Sequence, residues 1–222
     1  MSLKNRFTEQ DLARIKQAVQ QAESKISGEI VPFIVEKSDA YTIATYRAAV
    51  LSAAIFFLGI IFIDRYIFID RYIPDFEVYD PIFIFLIVLA GGILGAWLTA
   101  KIDVLQRVFI SQEHFDRVTK QKAEAAFLQE EVFNTKQRTG ILLFISFFEH
   151  EVIVMADKGI SKVVEQKEWD GIVKTLIDKI KTGDAIGGLE ACIARCGQLL
   201  LEKEFTITAD DTNELKDDLR IQ

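Results

Sequence analysis

The side chains in this sequence that could do chemistry are mostly oxygen donors. Asp157 stands in the stretch ADKGI, where an apolar run ends and a turn containing Gly159 begins. From such a position a carboxylate reaches an ion or a metal-bound phosphate, and it serves equally well as the acceptor of an Asx-type turn. Asp210, Asp211, Asn213 and Glu214 bring four hard oxygen donors within five residues of the tail. Their number suits calcium or magnesium, although the spacing is not that of an EF-hand loop. Taken alone, the same residues read as a solvated acidic tail. Glu29, entering an apolar run, is a further contributor. Glu149, His150 and Glu151 form a third group, but adjacent residues at a hairpin tip diverge and supply no spaced second ligand, which disfavours a metal there.

Other chemistry finds little support. There is no Gly-x-Ser-x-Gly elbow, Walker loop, His-Glu-x-x-His helix or Cys-x5-Arg loop. His114 begins a helix and His150 tips a turn, so both read as surface residues and not as general bases. A phosphatase would need a metal-activated water held by Asp157 and the acidic tail. Cys192 and Cys196, four apart on one helical face, read as buried reduced thiols. A net charge of −7 with no Lys/Arg cluster argues against a nucleic-acid partner.

Half of the residues are hydrophobic, and mean hydropathy is +0.20. Ala48 to Ile63 is 16 residues without a charge, about 24 Å as a helix. It reaches membrane length when extended back to Tyr41, with Arg47 snorkelling to the headgroups. Ile82 to Ala100 is 19 uncharged residues ending near Trp97 and Lys101, with no polar face. Together they predict a transmembrane hairpin at residues 41–100 and a lipid bilayer as partner. Four basic residues flank the hairpin (Lys37, Arg47, Lys101, Arg107) against Arg65 and Arg71 between the spans, which places both termini in the cytoplasm. The first 40 residues hold no uninterrupted apolar region of the kind a secretory signal needs. Between the spans, FIDRYI at Phe62 to Ile67 recurs at Phe68 to Ile73 and reads as a tandem duplication in a tolerant loop.

The polar remainder, residues 1–40 and 101–222, must build a domain. Thr8 and Asp11 form a capping box for a helix starting at about Glu9, with Leu12, Ile15, Val19, Ala22 and Ile26 as its stripe and Gly28 as its end. Glu29 to Glu36 reads as a strand that, by Pro32, lies at an edge or carries a bulge. Ser111 to Thr135 predicts a helix facing the core through Phe115, Val118, Ala125, Leu128 and Val132. Gly140 to Phe148 and Val152 to Ala156 are too short to span lipid as helices and predict two strands buried on both faces, joined by a turn at Glu149 and His150. A Trp169 helix stopped by Gly183 and another capped by Asp184 complete the order. A helical crossover between the first two strands makes them parallel.

The pieces FTEQDLARIKQAVQQAESKISGEIVPFIV, AFLQEEVFNTKQRTGILLFISFFEHEVIVMADKGI, GDAIGGLEACIARCGQLL and DDTNELKDD, in this order, resemble the TPM domain family. That family includes a thylakoid-lumen acid phosphatase, a photosystem II repair factor and many bacterial membrane-linked proteins. The resemblance covers nearly all residues outside 40–110. It implies a Rossmann-like α/β sandwich with a mixed sheet and flanking helices, here interrupted by the two-helix hairpin, and a bacterial inner membrane as location. In some relatives it also implies divalent cations such as calcium, and phosphatase activity. It turns Asp157, Asp210, Asp211, Asn213 and Glu214 into expected ligands of Ca or Mg, with no organic cofactor. The expected function is a membrane-anchored module that assembles or maintains a membrane protein complex with an unidentified protein partner; the alternative is a metal-dependent phosphomonoesterase.

Overall fold

The structure, a computed structural model, describes residues 6–67, 81–207 and 212–222. It divides into two compact units, Met1–Asp39 with Asp116–Gln222, and Ala40–Phe115.

In the first unit, α1 (Glu9–Glu23) begins with the expected reciprocal cap: Thr8 Oγ1 accepts from Asp11 N, and Thr8 N donates to Asp11 Oδ2. The helix ends at Ser24, ahead of Gly28, and Ile26 is buried from a turn. Gly28 serves close approach, because a Cβ there would stand 3.0 Å from Thr139 O. Strands β1 (Glu29–Val35), β2 (Gly140–Ser146), β3 (Glu151–Ala156) and β4 (Arg220–Ile221) form one sheet in the order β3-β2-β1-β4. As predicted, β1 and β2 are parallel and β2 and β3 antiparallel.

Two expectations about the sheet are corrected. First, β1 is interior, despite Pro32. Val35 O accepts from Phe147 N, whereas Ile34 O accepts from Gln222 N, so alternate backbone groups of β1 address β2 and the β4 side. Pro32 shares the parity of Ile34, and its missing N–H falls where the two-residue β4 asks for no partner. Second, of the two strands expected to be buried on both faces, β2 is and β3 is not. Every residue of β3 is half-buried, because β3 is an edge strand.

One sheet face carries Ile30, Ile34, Ile141, Leu143 and Ile145 and packs on α1, α7 (Gln166–Lys181) and α8 (Ala185–Glu202) through residues such as Val19, Trp169, Leu176, Leu189 and Ile193. The other carries Val31, Phe33, Leu142 and Phe144 and packs on α5 (Gln112–Gln129) through Ala123 and Ala126. Of the predicted stripe, Phe115 and Val132 are buried and Val118 half-buried, but Ala125 and Leu128 are exposed, and Thr119, Ala123 and Ala126 face in instead. Small residues win this face because the sheet already presents Phe33 and Phe144, stacked with centroids 5.8 Å apart. Gly183, at φ +85°, and Asp184, which accepts from Gly187 N, separate α7 from α8 as expected. Cys192 and Cys196 are buried, free thiols.

The second unit contains α2 (Thr42–Ile67), α3 (Pro81–Lys101) and α4 (Asp103–Val108). Thr42–Ile63 and Pro81–Lys101 are long and apolar enough to cross a membrane. They meet along Gly91, Gly95 and Thr99, the buried residues of α3. A Cβ at Gly95 would stand 2.5 Å from Ser52 Cβ and 3.0 Å from Ala48 O, so glycine is what lets the two backbones approach. Val50, Leu58, Leu86 and Ile93 are exposed. Arg47 donates to Phe109 O at 2.7 Å, satisfying a backbone acceptor within the unit where snorkelling was expected. The first FIDRYI copy is helical and not a loop, with Phe62 and Tyr66 rings 4.8 Å apart on one face of α2; the second lies outside the described residues.

Candidate functional site

The loop from Thr135 to Thr139, which delivers the chain into β2, organises the predicted residues. Its closure is local: Thr139 N donates to Thr135 Oγ1 at 2.9 Å, and Arg138 N to Thr135 O at 3.1 Å. Arg138 takes φ +60°, an uncommon conformation for a residue with a Cβ. This turns its guanidinium onto Asp157, with Nε 2.6 Å from Oδ2 and Nη2 3.0 Å from Oδ1, and sets it 5.7 Å from the Phe133 ring centroid.

Asp157 follows β3 and caps the short α6 (Lys158–Ser161), accepting from Lys158 N at 2.7 Å. Its side chain is only 3% exposed, against 47% for that of Arg138. The turn it opens needs Gly159, since a Cβ there would lie 2.6 Å from both Arg138 O and Gln137 O. Thus Asp157 has the turn role and a paired charge together.

The tail meets the same loop two residues earlier. Both carboxylate oxygens of Glu214 accept from Lys136 N, at 3.2 and 3.1 Å. Glu29, buried at the start of β1, accepts from Glu214 N at 3.0 Å and Leu215 N at 3.2 Å and so anchors the tail. Asn213 donates to Asp217 Oδ1 at 2.6 Å, and Gln20 to Asp217 Oδ2 at 2.7 Å. Among the described residues, no hydrogen bond joins Asp157 to Asn213 or Glu214, and Asp210 and Asp211 lie outside them.

Sequence reasoning missed Glu23 and Asp217. With Glu29, Thr212 and Asn213 they line a cavity of about 260 Å³ between the end of α1 and the tail. Glu23 accepts from Ile30 N at 2.8 Å, yet burial, with the neighbouring Glu29 and Asp217 charges, pushes its carboxyl up to about 8. Burial also pushes Glu29 upward, against the pull of its two backbone donors. In the sequence these residues read as a helix end and a charged tail; only the returning chain makes them neighbours. Two carboxyls that resist ionisation, Glu23 and Glu29, thus share one cavity. Among the described residues, no group of three or more His, Cys, Asp or Glu is arranged to hold a metal ion.

The Glu149, His150, Glu151 tip also disperses. Glu149 is buried and accepts from Ser38 N at 2.9 Å and from Ser146 Oγ. His150 takes φ +58° in the turn. Glu151 is pushed to about 7 by burial, first, and by its contact with Asp116.

A mixed four-stranded sheet between helices, with a loop and a tail meeting at its edge, defines an α/β domain. The TPM domain family model matches residues 104–199. The NMR structure of the BA42 protein from the psychrophilic bacterium Bizionia argentinensis is similar in fold, with a TM-score of 0.58 and 18% identity over 97% of this chain and 95% of that one. Among curated proteins, none matches.

Proposed function

We propose that this protein is a membrane-anchored TPM module that binds a divalent cation and acts in the assembly or maintenance of a membrane protein complex. The observation that carries this reading is the pair of long apolar helices, α2 and α3, standing in the chain between β1 and β2 of the TPM domain. Their exposed Val50, Leu58, Leu86 and Ile93 suit lipid. Both termini lie in the cytoplasm in this reading, on the four-to-two count of flanking basic residues. The cation is Ca or Mg, and it sits at the tail. In this reading Asp210, Asp211, Asn213 and Glu214 are its ligands, and Asn213 shares a cavity with Asp217, Glu23 and Glu29; Asp157, already faced by Arg138, is the weaker ligand of those expected.

Carbonate extraction and protease protection test the anchoring. Release of the chain by carbonate, or cleavage of a C-terminal tag from outside intact cells, would overturn the span or the orientation respectively. Melting of the full chain in chelator and then in millimolar calcium or magnesium tests the cation. A cation that binds only the folded state at a hundredfold excess over its dissociation constant adds about 2.7 kcal/mol. That shift is expected to vanish in Asp211→Asn with Asp217→Asn and to survive in Asp157→Asn. Metal-dependent hydrolysis of phosphomonoesters by the same samples, lost with the shift, would instead favour a phosphatase.

A further inference from the structure

The long free edge of the sheet is β3. At the opposite edge, β4 covers only two residues of β1, whereas β3 presents all of Glu151–Ala156. Asp157 N donates to Gly140 O at 2.9 Å, and the register pairs Ile141 with Ala156. The residues of β3 bonded to β2 therefore share the parity of Asp157, namely Met155, Ile153 and Glu151. The N–H and C=O groups of Val152, Val154 and Ala156 point away from β2, along the open edge.

This edge borders a groove of about 910 Å³, with Asp116 and Lys120 of α5 on one side and Lys162, Glu165 and Trp169 on the other. An uncovered edge with apolar side chains invites another strand. Two features of the groove select its occupant. The strand is six residues long and self-matching, since a two-fold axis at Val154 pairs Val154 with its own copy and Val152 with Ala156, so that each outward N–H meets a C=O, that of Ala156 being shared with Ser161 Oγ, which donates to it at 2.8 Å. Charge is uneven along it: Glu151 lies at the N-terminal end in a hydrogen-bonded pair with Asp116, and exposed Lys158 and Lys162 follow the C-terminal end, with Lys120 and Glu165 also lining the groove. Antiparallel copies would set each acidic end against a basic end, twice. A parallel copy would oppose like charges.

We propose that a second copy of this chain docks antiparallel along β3, joining two four-stranded sheets into one across a two-fold axis. The proposal is independent of the cation reading and concerns a different face of the domain. Val154→Pro is its sharpest probe, because the lost N–H belongs to no bond among the described residues, and proline is tolerated on an edge strand facing outward.

The detergent-solubilised full chain is expected to be a concentration-dependent dimer by light scattering. Amides of Val152, Val154 and Ala156 should gain hydrogen-exchange protection as the dimer forms. Val154→Pro should weaken dimerisation by at least about tenfold with the circular dichroism unchanged. Glu151→Lys and Lys162→Glu should each weaken it severalfold, and the double reversal should restore it. A wild-type chain that stays monomeric at about 100 µM would overturn the proposal and leave the edge to a different partner. A dimer indifferent to Val154→Pro, or one that the double reversal fails to restore, would overturn it as well.

Discussion

Arg138 grips Asp157 at two points, Nε to Oδ2 at 2.6 Å and Nη2 to Oδ1 at 3.0 Å, and reaches it only because its own backbone sits at φ +60°. A strained residue in the loop before β2 thereby neutralises a buried carboxylate after β3, tying the two ends of that hairpin together.

Removing the arginine leaves the buried carboxylate with the Lys158 N–H as its donor among the described residues. Arg138→Ala is expected to lower stability by about 2 kcal/mol, less than for a fully buried pair because the guanidinium is half-exposed. Chemical denaturation at pH 7 measures this. Arg138→Lys should recover only part of the loss, since an ammonium cannot make both contacts.

Two glycines predict opposite signs. At Gly159 a Cβ would strike the backbone oxygens of Arg138 and Gln137 at 2.6 Å, so Gly159→Ala should cost about 2 kcal/mol or more. At Gly171, inside α7, nothing lies within 4 Å, and Gly171→Ala should stabilise by roughly 0.5–1 kcal/mol. Thermal melts of the two variants side by side decide the matter.

The Glu23 carboxyl sets a pH dependence. Its folded-state pKa, about 8, is raised above the ordinary 4.5, so the folded chain holds a proton that the unfolded chain releases between those values. The stability linked to this group is full below pH 4.5 and falls as pH rises to about 8. Glu23→Gln is expected to remove that part of the slope and, in chelator, to be the more stable protein at pH 9 by roughly 2 kcal/mol. Equal slopes for the two proteins across this window would contradict the assignment.

Packing of α2 on α3 rests on small residues. Gly95→Leu should separate the helices and lower the melting temperature of the detergent-solubilised chain by several degrees, read from Trp97 fluorescence, because its first carbon already meets Ser52 and Ala48. Gly59→Leu, with nothing within 4 Å, is the matched control and should leave the melt unchanged.

The sequence by itself determined the features that depend on neighbours along the chain. The Thr8–Asp11 cap, the two apolar helices, the β2–β3 turn, Gly183 with Asp184, and the parallel pairing of β1 with β2 all follow from local chemistry or from crossover handedness. The order of those pieces also carried the TPM resemblance. What only the tertiary structure decided depends on residues far apart in the chain. Pro32 marked β1 as an edge or bulged strand, yet a two-residue β4 from the far end of the chain makes β1 interior at no cost in hydrogen bonds. The stripe of α5 turned to Thr119, Ala123 and Ala126 because the bulk on that interface comes from Phe33 and Phe144 of the sheet. Asp157 was legible as a turn acceptor, but its partner Arg138 was not, since nothing local announces a left-handed arginine. Glu23 and Asp217 looked like solvated charges; they became a cavity when Glu29 caught the backbone of Glu214 and Leu215 and folded the tail over the end of α1, a contact between residues more than 180 positions apart.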